Sequence, residues 1–227
     1  GPVLFRPFHE NTGSWFWWGK AFCDPETYKS VFKYTVEYLR DEKDVHNLLY
    51  VYGPGSEAAS IAEYEERYPG DAYVDMVGFD SYDSNPVSDE EGYTFGTNFA
   101  NTVRLTDEFA KKHGKLFAVT ETGISGLPNL ECGRPDWFTE IMDIITEEGI
   151  DCSYFMVWTN YSATSYYIPF VTSISEDGTL HGHEMLDGFI RFYNDERSIF
   201  ASDQKRVLTD GGSRPLSPKI EKWTEAG

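Results

Sequence analysis

Five times over, this chain runs from a short apolar stretch through a loop into a segment with helical spacing. That alternation constrains its fold more than any other feature of the sequence. The apolar stretches are VLFRPF (3–8), NLLYVYG (47–53), VDMVGFDSY (74–82), KLFAVTETG (115–123) and CSYFMVW (152–158). Helices are predicted at about 25–43, around 57–67, and near 98–113, 135–148 and 183–193. In the first of these, Tyr28, Val31, Phe32, Thr35, Val36 and Leu39 recur at three- and four-residue spacings, the signature of one buried helical face. Pro69-Gly70, Gly114 and Gly149 supply stop signals.

Strands that are near-continuous Val, Phe, Leu and Met suit a parallel sheet covered by helices, so the fold class is α/β. A doubly wound sheet usually announces itself by a Gly-rich phosphate loop after a strand, and neither GxGxxG nor GxxxxGK occurs. A (β/α)8 TIM barrel instead gathers its chemistry at the carboxyl ends of several strands. Eight such units take about 250 residues, and five cannot close the barrel. Residues 1–202 are therefore expected to be the later part of a barrel, strands 4 to 8, with the amino-terminal part of the barrel lying elsewhere. The alternative is an open five-stranded sheet. Residues 203–227, with Gly-Gly, two prolines and no periodicity, read as a tail or linker.

The formal net charge of −19 argues against nucleic acid or an anionic membrane surface as partner, because phosphates reward positive charge. There is no apolar run long enough for a membrane span. A neutral polymer is compatible with the acidity, and the aromatic content of 16% suits sugar rings, whose flat C–H faces pack on flat apolar ones. Cys23, Cys132 and Cys152 follow no CxxC spacing and leave both a single bridge and three thiols open. No metal or other cofactor is expected. His9-Glu10 does not begin an HExxH motif, since position 13 is Gly13, and HGHE (181–184) reads as a surface loop. The acidic stretch 83–92 lacks the ordered ligand spacing of a calcium loop.

At the strand ends, where a barrel enzyme works, stand His9 and Glu10 after the first, Asp80 and Tyr82 at the third, Glu121 at the fourth and Trp158 at the fifth. Retaining glycosidases need two carboxyl groups about 5–5.5 Å apart, one to protonate the leaving oxygen and one to attack the anomeric carbon. Glu10 and Glu121 are the candidates. Glu10 precedes Trp15, Phe16, Trp17 and Trp18, a run of rings that fits neither a helical nor a strand period and so reads as a functional loop. Rings beside Glu10 would keep it protonated for longer, as a general acid requires, while Thr120, Thr122 and Tyr82 could hydrogen-bond an ionised Glu121. Arg6 and Pro7 read as supports of the strand end.

RPFHENTGSWFWWG (6–19), VDMVGFDSYD (74–83), VTETG (119–123) and FMVWTN (155–160) resemble, in order, glycoside hydrolase family 26, whose best-known members are endo-β-1,4-mannanases. The resemblance spans residues 1–201 and the later half of that family's (β/α)8 barrel. It implies that Glu10 is the acid/base and Glu121 the nucleophile, that His9 touches sugar hydroxyls, and that Trp15 is a platform at the +1 subsite. Tyr82 would bond the nucleophile, Trp158 would floor the −1 subsite, and Asp80 and Phe16 would line the cleft. The implied partner is a mannan-type polysaccharide or mannooligosaccharide met outside the cell. Phe16-Trp17-Trp18 stands where members that cut mixed-linked glucan tend to have Tyr-Pro-Trp, which favours mannan. A β-glucanase, a β-1,3-xylanase and a non-catalytic sugar-binding protein are the competing readings.

Overall fold

The computed structural model describes residues 1–84, 94–124, 132–161 and 167–200. The 203–227 tail and nearly all of the acidic 83–92 stretch lie outside them. The chain forms two compact units. The first comprises Gly1–Asp83, Thr94–Gly123 and Glu148–Val157, and the second Ser84–Tyr93, Ile124–Glu147 and Trp158–Gly227.

The first unit is built on one sheet of five strands: β1 (Val3–Phe5), β2 (Leu48–Tyr52), β3 (Met76–Asp83), β4 (Leu116–Ile124) and β5 (Cys152–Val157). Their spatial order is β1-β2-β3-β4-β5, the same as their order in the chain. β1 with β2, β2 with β3, and β4 with β5 pair in parallel. A doubly wound sheet reverses direction at a switch point, whereas a barrel adds each new strand beside the last. The sequential order is that of a (β/α)8 barrel, present here in part. Val51, Met76 and Ala118 form a buried cluster with Tyr154 packed against it.

Helix α1 (Pro25–Glu37) begins where Asp24 accepts a hydrogen bond from the Thr27 amide at 3.0 Å, with Pro25 in the first turn. The predicted continuation to residue 43 is a π-turn over Tyr38–Glu42. Helix α2 (Ile61–Glu65) starts later than expected, because Ser60 caps it by accepting from the Glu63 amide while the Glu63 carboxylate takes the Ala59 amide. Helix α3 (Thr94–His113) starts earlier than expected and stops at Gly114, whose φ of 63° is one that glycine adopts without strain. β1 is three residues long rather than six. Pro7 carries no amide hydrogen, and Phe8 and Glu10 have φ values of 53° and 51°, so the ladder cannot continue past Phe5.

In the second unit α4 (Trp137–Ile145) packs on α5 (Leu186–Asn194), with Phe138 against Phe189 and Phe192. The stretch after β5, read from sequence as loop, contains an antiparallel hairpin of β6 (Val171–Ile174) and β7 (Leu180–Gly182). Asp177-Gly178 at its turn, with Gly178 at φ 89°, is a hairpin signal that the reading passed over. HGHE is only half loop: His181 and Gly182 lie in β7, while Glu184, in the turn that follows, accepts hydrogen bonds from the amides of Cys132 and Arg134. None of Cys23, Cys132 and Cys152 is in a disulfide. Among the described residues, no helix is long and apolar enough to cross a membrane.

Candidate active site

The carboxyl ends of β1, β3 and β4 bring Glu10, Asp80 and Glu121 together, with one carboxylate oxygen of each within 4.8 Å of the others. Three acids this close would repel one another without a compensating charge. Arg6 provides it. The guanidinium bonds Asp80 at 2.6 Å through Nη1 and Glu121 through Nη2, so one planar fork spans two strands. The cluster thus holds its own cation. Expected from the sequence to support the strand end, Arg6 also joins Asp80 of β3 to Glu121 of β4. A lone Arg two residues after Leu4 in an apolar strand shares Leu4's face, and that placement was the available signal.

Glu121 is 5% exposed, and its two oxygens have separate donors: Arg6 on Oε1 and the Tyr82 hydroxyl on Oε2 at 2.7 Å. The threonine support expected from sequence goes elsewhere. Thr120 Oγ1 donates to Asp80 at 2.6 Å, and no partner among the described residues satisfies the buried Thr122 Oγ1. Consecutive strand residues normally face opposite ways, yet Thr120 and Glu121 both reach the Arg6–Asp80 pair. The register explains this. Val119 pairs with Phe155 and Thr122 with Val157, three steps along β4 against two along β5, which is a bulge at Thr120–Glu121. Bulges re-aim side chains in this way. Burial, with neighbouring Glu121, pushes the Asp80 carboxyl up to about 7, against the pull of Arg6 and Thr120.

Glu10 is placed by a loop. Its left-handed backbone is tied to β2 by a hydrogen bond from its amide to the Gly53 carbonyl at 2.8 Å. Two further ties fix the flanks. Buried Tyr28 donates to the Phe8 carbonyl and accepts from the Asn11 side-chain Nδ2, and the Trp18 indole donates to the His9 carbonyl at 2.8 Å. Arg67, almost wholly buried, donates to the carbonyls of Trp18 and Cys23 and lies over the Tyr28 ring, 4.9 Å from its centroid. No sequence reading had singled out Arg67. Its two acceptors are backbone oxygens some 44 and 49 positions away in the chain, so only the folded chain reveals them.

The aromatic run is irregular, as its spacing predicts. Phe16 and Trp18 stack with centroids 4.3 Å apart, and His9 lies 5.0 Å from Phe16. Trp15 folds back across Gly13, where even a Cβ would come within 2.4 Å of the indole. From there its Nε1 donates to Glu10 Oε2 at 2.8 Å, while 61% of the residue stays open to solvent. Burial raises the proton affinity of Glu10 above that of an ordinary carboxyl, Glu121 and Glu57 add to it, and the Trp15 bond and Arg6 oppose it. Burial, aided by Arg6, lowers that of His9.

Of the residues expected in the site, His9, Glu10, Trp15, Phe16, Asp80, Tyr82 and Glu121 belong to the first unit. Trp158 belongs to the second, where its indole donates to the Tyr161 hydroxyl at 2.6 Å. Leu4, Arg6, Val51, Thr120, Tyr154, Phe155 and Met156 line a hollow of about 400 Å³ on the sheet.

The glycosyl hydrolase family 26 model matches residues 1–176. A mannan endo-1,4-beta-mannosidase of Bifidobacterium adolescentis is 40% identical over 166 residues, 70% of this chain and 16% of that protein. A mannan endo-1,4-beta-mannosidase of Bacillus subtilis is 32% identical over 69% of this chain and 39% of its own length. Among solved structures, the catalytic domain of the family 26 endo-beta-1,4-mannanase of Bacillus sp. JAMB-750 aligns with a TM-score of 0.78 at 33% identity, covering 88% of this chain and 52% of that one. A family 26 beta-mannanase of Bacteroides ovatus aligns at 0.72 with 36% identity, covering 89% and 53%. The chain therefore spans about half of these solved structures and less than half of those two curated relatives. Sequential parallel strands, acids gathered at their carboxyl ends and a match over most of the chain agree: this chain belongs to glycosyl hydrolase family 26.

Proposed function

We propose that this chain carries the two catalytic carboxyl groups of a retaining endo-β-1,4-mannanase, which acts outside the cell on mannan, glucomannan or galactomannan. The observation that carries the reading is the approach of Glu10 and Glu121, with carboxylate oxygens within 4.8 Å. Retention calls for carboxyl groups about 5–5.5 Å apart, whereas inversion leaves room for a water at about 6.5–9.5 Å. The mannosidase names of the relatives support the choice of sugar.

In this reading Glu10, whose burial favours its protonated form, donates its proton to the glycosidic oxygen as the bond to the anomeric carbon breaks. Glu121 attacks that carbon and forms a glycosyl ester. Glu10, now a carboxylate, takes a proton from water, and the resulting hydroxide oxygen displaces Glu121. Tyr82 and Arg6 hold the two Glu121 oxygens in fixed directions, so the attack proceeds along one line. The open face of Trp15 receives the sugar on the leaving side, and His9 and Phe16 flank it.

The test is to follow mannopentaose cleavage by proton NMR before mutarotation. A β-anomeric reducing end should appear first. The α-anomer appearing first would replace retention with inversion, and no cleavage of any mannooligosaccharide would leave a sugar-binding protein.

A further inference from the structure

One feature next to the site has no part in the mechanism above. Thr12, two residues after Glu10, accepts a hydrogen bond at its hydroxyl from the Gly55 amide at 2.9 Å and donates to Glu57 Oε2 at 2.6 Å. Gly55 in turn bridges to Asp80 on β3, and the Asp80 amide donates to the Pro54 carbonyl at 3.0 Å. The exit loop of β2 therefore touches both the Glu10 loop and the base of the Asp80 pair. Glu57 lies against this loop, its carboxylate 2.3 Å from where a Cβ at Gly55 would stand. An exposed glutamate ordinarily wanders through many rotamers. This one has a hydrogen-bond partner in Thr12.

We propose that Glu57, anchored through Thr12, is a positioning residue for Glu10: it braces the loop that aims the Glu10 carboxyl and stands as a fixed negative charge beside it. The brace matters because Glu10 and Phe8 hold left-handed backbone angles, which for residues other than glycine are strained and persist only where surrounding bonds over-determine them. Gly53 holds the Glu10 amide, and Thr12–Glu57 holds the next turn of the same loop. The charged groups facing Glu10 are Arg6 from the end of β1, Asp80 from β3, Glu121 from β4 and Glu57 from the β2 exit, with His9 beside it in the chain. Of the three acids, Glu121 and Asp80 share the Arg6 guanidinium. Glu57 instead bonds the neutral Thr12 hydroxyl, so its charge acts on Glu10 with less compensation.

The inference rests on the reading of Glu10 as acid/base, but its test does not require turnover. The Trp15 indole donates to Glu10, so the Trp15 Nε1–H resonance reports the protonation of that carboxyl in a pH titration of the intact protein. Glu57→Gln keeps an acceptor for Thr12 and removes the charge, and the midpoint should fall by a few tenths of a pH unit. Thr12→Val removes the brace, and the Trp15 resonance should broaden or shift toward that of a free indole at all pH values. In an active enzyme Thr12→Val should also lower kcat on mannan several-fold while sparing the first step, read as the burst of aryl alcohol, on an aryl mannoside whose leaving group needs no proton. An unchanged midpoint in Glu57→Gln, or Thr12→Val losing both substrates in equal proportion, overturns the proposal. If the wild-type protein cleaves no mannoside yet the midpoint moves, the functional reading fails and the positioning role stands.

Discussion

Glu10 and Glu121 are one kind of side chain in two opposite settings. Glu10 rides on a loop, on a strained backbone, with one side-chain donor among the described residues, a largely exposed indole. Glu121 lies within β4, buried, with each oxygen bonded to a different group. The contrast fits the two tasks proposed for them. An acid/base changes protonation twice in a turnover and needs a tuned proton affinity, whereas a nucleophile must present one oxygen along one direction. A loop under strain suits the first and a bulged strand tied by Arg6 and Tyr82 suits the second.

The largest effect should come from removing the two acids and comparing substrates. Glu121→Ala should lose more than about 10⁴-fold in kcat on mannan and on an activated aryl mannoside alike, since the covalent route is gone for both. Glu10→Ala should lose about 10²- to 10⁴-fold on mannan and far less in the first step on the activated substrate, measured as a burst of aryl alcohol. Identical losses on both substrates would erase the division of labour.

A smaller effect sharpens the contrast in rigidity. Arg6→Met leaves Asp80 and Glu121 buried without their shared cation and should cost about 3 kcal/mol in denaturant unfolding. Trp15→Phe, on the Glu10 side, should cost under about 1 kcal/mol, as an exposed substitution does. Equal costs would show that the Glu121 side is no more firmly held.

The smallest effect concerns pH. The Trp15 indole bonds the Glu10 carboxylate and so favours its charged form. Trp15→Phe should raise the proton affinity of Glu10, which must be protonated to act as the acid, and move the basic limb of kcat/KM to higher pH. That is the direction opposite to the one expected for Glu57→Gln. A basic limb that stays in place would mean that another group sets it.

Much of this was legible in the sequence, for reasons that differ from residue to residue. Parallel strands were visible because strands covered on both faces must be apolar throughout, and Gly114 marked a helix end because its backbone angle favours glycine. Glu10 stood out because four large rings follow it at short range in a run with no regular period. These are local constraints, and the sequence by itself determined them. The tertiary structure alone decided the rest: that Arg6 would join Asp80 to Glu121, that a bulge would turn Thr120 and Glu121 to the same side, and that Arg67 and Glu57 would hold the aromatic loop from distant segments. Each of those depends on strand register and on which buried charge finds which partner, and register is a relation between segments that neither one encodes alone.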